Sequence, residues 1–183
     1  SLEVMAGEIL GIAGVSGNGQ RELAEVIAGL RKPTQGQIEI DDQNVTGLPP
    51  DQVIRQGLAY ISEERFLDGV VKDLTVEENI MIEQPYSRGS FLNFNKIAQH
   101  TQDLITDFDI KAPSRKTPLR NLSGGNIQKL ILARELSRKP SVLIASQPTR
   151  GVDIGSTEYI HQRLSAQRAL GTATLLISED LDE

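Results

Sequence analysis

Apolar runs that resemble buried strands alternate with helical repeats along most of this chain. The strand-like runs lie at 9–13, 37–40, 58–61, 142–145 and 173–177. The helical patterns lie at 20–28, 50–56 and 155–169, and most of them end close to a Gly. Strands that alternate with helices predict an α/β fold, in which helices cover a mostly parallel sheet.

The middle third of the chain has a different pattern. From residue 63 to residue 89 it is polar and rich in loop-forming residues, without a run that predicts a strand. Thr75 and Glu78 have the spacing of a capping box, which predicts a helix from Thr75. A second helix is predicted at 95–108, because one face carries Ile97, Thr101, Leu104, Ile105 and Phe108.

These patterns predict a single domain, 1–183, that has two parts. The α/β core comprises 1–65 and 130–183, and a mainly helical insert comprises 66–129. Ser123 has the properties of an N-cap for the helix that joins the insert to the core, and Pro140 marks the end of that helix.

Size and composition limit the function classes. The chain has 183 residues, enough for one domain with a sizeable core, and no apolar run long enough to span a membrane. It has no Cys, which excludes disulfides and Cys-based zinc sites. A net charge of −6 and an aromatic content of 4% argue against a nucleic-acid-binding surface. Residues 1–4 resemble the middle of a strand and residues 180–183 the start of a helix, so we expect a fold truncated at both ends.

Residues 14–21, Gly-Val-Ser-Gly-Asn-Gly-Gln-Arg, form a glycine-rich loop between a predicted strand and a predicted helix. Backbone N–H groups and the helix N-terminus bind anions in this arrangement. The phosphate-binding pattern Gly-x-x-x-x-Gly-Lys-Ser/Thr ends in a Lys for phosphate and a hydroxyl for Mg²⁺, but this chain has Gln20 and Arg21 there. A glycine-rich turn into a packed helix is the alternative. The candidate nucleotide contacts of this loop are Gly14, Ser16, Gly17, Asn18, Gly19, Gln20 and Arg21.

Residues 122–129, Leu-Ser-Gly-Gly-Asn-Ile-Gln-Lys, form a more specific motif, which we call the signature. Gly124 and Gly125 lie where a helix prefers stronger formers, so a closely approaching ligand is a reason to keep them. The Ser123 hydroxyl and the amides of the two glycines are candidate ligands of a terminal phosphate, and Gln128 is a further candidate nucleotide contact. The alternative is a Ser-Gly-Gly loop that leads into a core helix.

The order of the motifs resembles the nucleotide-binding domain of an ABC transporter. The glycine-rich loop is followed by the signature and then by a strand with Gln-Pro-Thr-Arg-Gly-Val-Asp at 147–153. The residues at 14–20, 144–153 and 176–181 resemble the second half of two-domain ATP-binding subunits of bacterial importers of nucleosides or simple sugars. The resemblance covers nearly the whole chain. It implies a P-loop NTPase (RecA-like) core with a helical insert.

The chain departs from the family pattern at several positions. Ser146 replaces the family's Mg²⁺-site Asp, and Gln147 replaces its catalytic Glu and cannot act as a general base. Glu179 replaces the switch His, and Glu63 replaces the Gln of the loop that senses metal and membrane partner. Together with the changes at positions 20 and 21, these replacements imply a degenerate site that holds no metal and does not catalyse in cis.

The elements that act across the domain interface match the family. In the family, two domains pair head to tail, and ATP lies between one phosphate-binding loop and the opposite signature. The resemblance therefore implies that Ser123, Gly124, Gly125 and Asp153 act in trans. ATP and Mg²⁺ would then be held chiefly by the partner half.

The resemblance also implies partners and a location. The partners are the N-terminal nucleotide-binding half of the same subunit, integral membrane permease subunits and, indirectly, a substrate-binding protein, but not nucleic acid. The location is the cytoplasmic face of the bacterial inner membrane. Two alternatives remain at this stage: a non-catalytic docking scaffold for the permease, and a soluble ABC ATPase without a transport role.

Overall fold

A four-stranded parallel sheet forms the centre of the fold. The computed structural model describes residues 2–82 and 92–180. Its strands are β1 Ile9–Ala13, β2 Glu39–Ile40, β3 Gln43–Asn44, β4 Leu58–Ile61, β5 Val142–Ser146 and β6 Ala173–Ser178. The central sheet has the order β1-β6-β5-β4, and β2 and β3 form a separate antiparallel hairpin. The predicted α/β class with a mostly parallel sheet is therefore confirmed.

The helices lie where the sequence patterns place them. They are α1 Gln20–Ile27, α2 Pro50–Arg55, α3 Val76–Met81, α4 Phe94–Asp107, α5 Gly124–Leu136 and α6 Ile154–Ala169. The structure also contains a π-helix, Arg65–Gly69, and a 3-10 turn, Leu119–Asn121. No helix within 2–82 and 92–180 has both the length and the apolar character needed to cross a membrane.

Two apolar clusters cover opposite faces of the sheet. Successive strand side chains point to opposite faces, so neighbouring residues of β5 belong to different clusters. Leu143 belongs to the cluster that includes residues of α3, α4, α5 and α6, whereas Ile144 belongs to the cluster that includes residues of α1 and α2. Helix α5 is buried over most of its surface, and Leu130 and Leu132 are fully enclosed. This enclosure holds the N-terminal end of α5, where the signature lies, in a defined position.

The helical insert has the predicted local features. The Thr75 hydroxyl accepts from the Glu78 amide, and the Glu78 carboxylate accepts from the Thr75 amide, which is the reciprocal capping box. The predicted apolar face of α4 is also confirmed, since Ile97, Thr101 and Leu104 are buried. The boundaries 66–129 of the insert stay a prediction.

Two local predictions require correction or extension. Residues 2–4 are not a strand, because no neighbouring strand in the described part of the chain pairs with them. The predicted turn at Asp41 and Asp42 is confirmed by the positive φ of both residues, but the short strand β3 after it was not predicted. Residues 181–183, where the sequence predicts the start of a helix, lie outside the described residues, as does the segment 83–91.

Candidate functional site

The loops that follow the four parallel strands meet at one edge of the sheet. The carboxyl ends of parallel strands are the usual ligand-binding edge of such folds. The phosphate-binding loop 14–19 follows β1, Glu63 follows β4, Ser146 and Gln147 lie at the end of β5, and Glu179 follows β6. The fold therefore brings together positions that are far apart in the sequence.

The side chain of Gln20 closes the phosphate-binding loop from inside. Its Oε1 accepts from the Asn18 amide at 3.1 Å, and its Nε2 donates to the Val15 carbonyl at 3.1 Å. The Asn18 side chain donates to the same carbonyl at 2.8 Å. A Cβ atom on Gly14 would lie only 2.9 Å from Gln20 Nε2, so the glycine leaves space for this side chain. The Asn18 amide, a candidate phosphate donor, is therefore already bound by the protein itself.

A second network joins the loop to the ends of β5 and β6. The Ser16 hydroxyl donates to the Glu179 carboxylate, and the Glu179 amide donates to Gln147 Oε1 at 3.3 Å. Gln147 has a positive φ, and Ser146 is buried. Within 2–82 and 92–180, no group of three or more His, Asp or Glu side chains could hold a metal ion. The network thus ties the phosphate-binding loop to the ends of β5 and β6 through Ser16, Glu179 and Gln147.

Arg21 points into a cleft beside the loop. Its guanidinium binds the Glu25 carboxylate at 2.7 Å and the Asp68 carboxylate at 3.4 Å, and the hydrogen bond to Glu25 raises the pKa of Arg21. The cleft has a volume of about 470 Å³ and lies between α1, α2, β4, the π-helix and α5. Tyr60 lines it, and burial raises the pKa of this phenol to about 12. Two carboxylates thus bind the guanidinium of Arg21, the residue that the sequence predicted as a phosphate contact.

The loops that follow β4 and β5 are connected by two arginines. Arg150 forms an ion pair with Glu63, the residue at the family's metal-sensing position. Arg65 Nη2 donates to the Gly151 carbonyl at 2.9 Å. These contacts hold the loop before α6 against the segment that follows β4.

The signature forms the N-terminal end of α5. Ser123 is the N-cap, and its Oγ accepts from the Asn126 amide at 3.4 Å and from Asn126 Nδ2 at 2.9 Å. Asn126 Oδ1 in turn accepts from the Lys111 amide at 2.7 Å. Ser123 is exposed, and the first N–H groups of a helix lack partners within it, so this end can bind an anion. Gln128 is only 1% exposed, so the structure does not bring this candidate contact to the surface beside Ser123.

Gly125 packs against the start of α6. A Cβ atom at position 125 would overlap Ser156 Oγ and would lie 3.1 Å from Asp153 Oδ2. Asp153 is the N-cap of α6: its carboxylate accepts from the Ser156 amide at 3.0 Å and from the Ser156 hydroxyl at 2.8 Å. The hydroxyl hydrogen bond lowers the pKa of Asp153. The structure therefore gives Gly125 a packing role and Asp153 a capping role.

Sequence reasoning missed Arg65 and Ser156. Arg65 begins a π-helix that has no characteristic sequence pattern. It lies near Gly124 of the signature only because the fold brings these two distant segments together. Ser156 lies three residues after Asp153, which is the spacing of an N-cap contact, and this signal could have identified it.

Comparison with known proteins decides the family. The family model described as "ABC transporter" matches residues 1–150. This chain belongs to the ABC transporter family. Its relatives include the nucleoside import ATP-binding protein NupA of Lactococcus lactis subsp. cremoris, 45% identical over 187 residues. They also include the guanosine import ATP-binding protein NupO of Bacillus subtilis, 43% identical over 187 residues. All of this chain is covered in both cases, but it spans only 37% of each relative's length.

Solved structures confirm the ABC cassette fold. The dimeric bacterial ABC transporter cassette MJ0796 superposes with a TM-score of 0.83 at 24% identity. The match covers 99% of this chain and 78% of the cassette chain. A post-hydrolysis dimer of MJ0796 bound to ADP and Pi gives a TM-score of 0.82, also at 24% identity. At this identity the likeness shows the fold, an ABC ATPase with a P-loop NTPase core, and nothing about this chain's own ligands.

Proposed function

We propose that this chain is the second nucleotide-binding half of a two-domain ATP-binding subunit that drives import of nucleosides or simple sugars. Its whole length matches import ATP-binding proteins named for nucleosides, guanosine, glucose and ribose. It spans 37% of the length of the first two, which leaves room in such a subunit for another nucleotide-binding half. The chain contributes its signature to ATP that the other half binds.

The closed phosphate-binding loop is the observation that carries this proposal. Gln20 occupies the position of the phosphate-binding Lys, and its amide group binds backbone groups of its own loop. The carboxylate of Glu179 is bound to the same loop through Ser16. A triphosphate would meet a carboxylate, no Lys and no ligand set for Mg²⁺, so its charge would be poorly neutralised. The loop is therefore unsuited to hydrolysis in cis.

The signature end of α5 supports the role in trans. Ser123 is exposed, and the amides of Gly124 and Gly125 belong to the first helical turn. In a head-to-tail pair, these donors cap the terminal phosphate of ATP held by the N-terminal half. Phosphoryl transfer depends mainly on positioning and on stabilisation of charge, so donors supplied by a second domain contribute to catalysis. The partner half then holds most of the Mg²⁺ and ATP contacts.

The proposal includes a membrane partner. The π-helix and the segment just after it expose apolar side chains: Phe66 is 38% exposed, Leu67 78% and Val71 48%. An exposed apolar patch of this kind suits contact with another protein, and we assign it to the permease. We place the subunit at the cytoplasmic face of the bacterial inner membrane, bound to permease subunits that receive substrate from a binding protein.

The purified chain is expected to hydrolyse ATP no faster than background. Its own loop lacks the Lys, the metal ligands and the general base, and its signature has no partner ATP to act on. Phosphate release with Mg²⁺ and ATP measures this, after circular dichroism has confirmed that the chain is folded. The two-domain subunit under the same conditions is the positive control. Sustained Mg²⁺-dependent turnover by the chain alone would show that the loop catalyses in cis and would contradict the proposal.

A further inference from the structure

Arg65 places a cation between the signature and the loop that precedes α6. Its Nη2 lies 3.6 Å from the position of a Cβ on Gly124 and 3.2 Å from that of a Cβ on Gly151. The same nitrogen donates to the Gly151 carbonyl at 2.9 Å. The guanidinium therefore occupies a gap that two glycines leave open, directly beside the first residue of α5. A side chain at either glycine would narrow this gap.

The charge of Arg65 has no carboxylate partner in the described part of the chain. Neighbouring arginines do have one: Arg21 binds Glu25, and Arg150 binds Glu63. Arg65 has five N–H donors, and the structure shows one hydrogen bond, to a neutral carbonyl. Its guanidinium also lies 5.2 Å from the centre of the Phe66 ring. It is half-buried, and burial lowers its pKa.

The Asp153 carboxylate at the start of α6 is already in use. Asp153 accepts both hydrogen bonds of Ser156 at the start of α6. Arg65 is a half-buried cation with spare donors beside a helix N-terminus, and residues 2–82 and 92–180 supply no counter-ion for it. Such a group fits an anionic ligand that comes from outside the chain. The anion that the proposed function brings to this place is the terminal phosphate of ATP on the partner half.

We infer that Arg65 is a further catalytic residue of the trans site and contacts the terminal phosphate of the partner half's ATP. The inference rests on the proposed function. Arg65 acts beside Ser123 and Gly124: the hydroxyl and amide donors hold the phosphate oxygens, and the guanidinium adds a full positive charge. A guanidinium presents paired donors that match two phosphate oxygens.

The chemical role of Arg65 is electrostatic. During hydrolysis a bond forms between the water oxygen and phosphorus while the bond to the ADP oxygen breaks, and negative charge spreads over the transferred group. Arg65 stabilises this charge and exchanges no proton, because guanidinium stays protonated throughout. Its effect is therefore expected in the rate of the chemical step more than in the binding of ATP.

The test compares three variants of the two-domain subunit assembled with its permease. Arg65→Met removes the charge, Arg65→Lys keeps a charge but loses the paired donors, and Lys72→Met is the matched control. Lys72 is also a cation at the Phe66 ring, 4.5 Å from its centre, but unlike Arg65 it is not among the nearest neighbours of Gly124 or Gly151. The measurements are kcat and KM for ATP, inhibition by orthovanadate as a probe of the transferred phosphoryl group, and the melting temperature.

We expect Arg65→Met to lower kcat by about 100-fold, comparable to the loss of one oxyanion donor. The KM for ATP changes little, orthovanadate inhibits more weakly, Arg65→Lys recovers part of the rate, and Lys72→Met equals the unmodified subunit. Two results would overturn the inference. In the first, the kcat of Arg65→Met equals that of the unmodified subunit. In the second, kcat and the melting temperature fall together while orthovanadate inhibition is unchanged, as expected if Arg65 only stabilises the fold through its hydrogen bond to Gly151.

The substitution Ser123→Arg in the same series separates the two proposals. If it leaves hydrolysis intact, the trans role of the signature fails. If it abolishes hydrolysis while the Arg65 variants behave like the unmodified subunit, only the role of Arg65 fails.

Discussion

Ser123→Arg is expected to abolish ATP hydrolysis by the two-domain subunit, with a loss of at least about 1,000-fold. The exposed Ser123 hydroxyl lies at the N-terminal end of α5, where the partner's terminal phosphate would rest. An Arg side chain fills that space and keeps the phosphate from the helix amides. Loss of the N-cap costs only about 1 kcal/mol, so the fold should survive. Steady-state phosphate release, together with a melting curve, measures both effects.

Gln20→Ala is the matched comparison for this experiment. It removes the hydrogen bonds of Gln20 to Asn18 and Val15, which lie in this chain's own loop. The proposed function places hydrolysis at the phosphate-binding loop of the N-terminal half, so we expect turnover to stay close to that of the unmodified subunit. If Gln20→Ala were the more damaging of the two substitutions, the roles assigned to the loop and to the signature would be reversed.

Gly125→Ala is expected to lower the free energy of unfolding by about 2 kcal/mol, the usual cost of forcing an extra methyl group into a packed site. Alanine is a better helix former than glycine, so helix propensity alone predicts a higher free energy of unfolding. The added Cβ would overlap Ser156 Oγ and would lie 3.1 Å from Asp153 Oδ2. The first turn of α5 must then move away from α6, and the signature moves with it. Urea unfolding of the purified chain measures the change.

The neighbouring glycine supplies the control. A Cβ on Gly124 would have no protein atom closer than 3.6 Å, so Gly124→Ala should leave the free energy of unfolding almost unchanged. Ser156→Ala combined with Gly125→Ala should recover part of the loss, because it removes the hydroxyl that the new methyl group meets. Equal stability of the two single variants would show that α5 and α6 do not pack as the structure describes.

Periodicity was sufficient for the strands of the central sheet and for most of the α-helices, but not for β3. The strands β1, β4, β5 and β6 are apolar runs, and β4, β5 and β6 are mostly buried. Such runs stand out from polar loops in any α/β protein. Turn and cap chemistry identified the ends of helices, as the Thr75 and Glu78 capping box shows. The π-helix Arg65–Gly69 was missed because a single turn of this kind has no repeat. The prediction of a strand at residues 2–4 was wrong, because β-propensity alone does not supply a neighbouring strand to pair with.

The sequence predicted which residues occupy the site but not which groups those residues contact. Gln20, Gln147 and Glu179 differ from the family pattern, and the sequence shows that the chemistry of Lys, Glu and His is absent from these positions. It does not show that Gln20 binds the amide of Asn18, or that the Ser16 hydroxyl binds Glu179. A side chain's hydrogen-bond partner depends on which backbone groups the fold leaves within its reach.

By itself, the sequence determined the α/β class, the family, and the contrast between an intact signature and an altered phosphate-binding loop. These follow from local patterns and from residues in a fixed order. Only the tertiary structure decided which distant residues meet: Ser16 binds Glu179, Arg150 binds Glu63, and Arg65 lies beside the signature. The physical reason is that charge neutralisation and close packing depend on distances of a few ångströms between segments far apart in the chain.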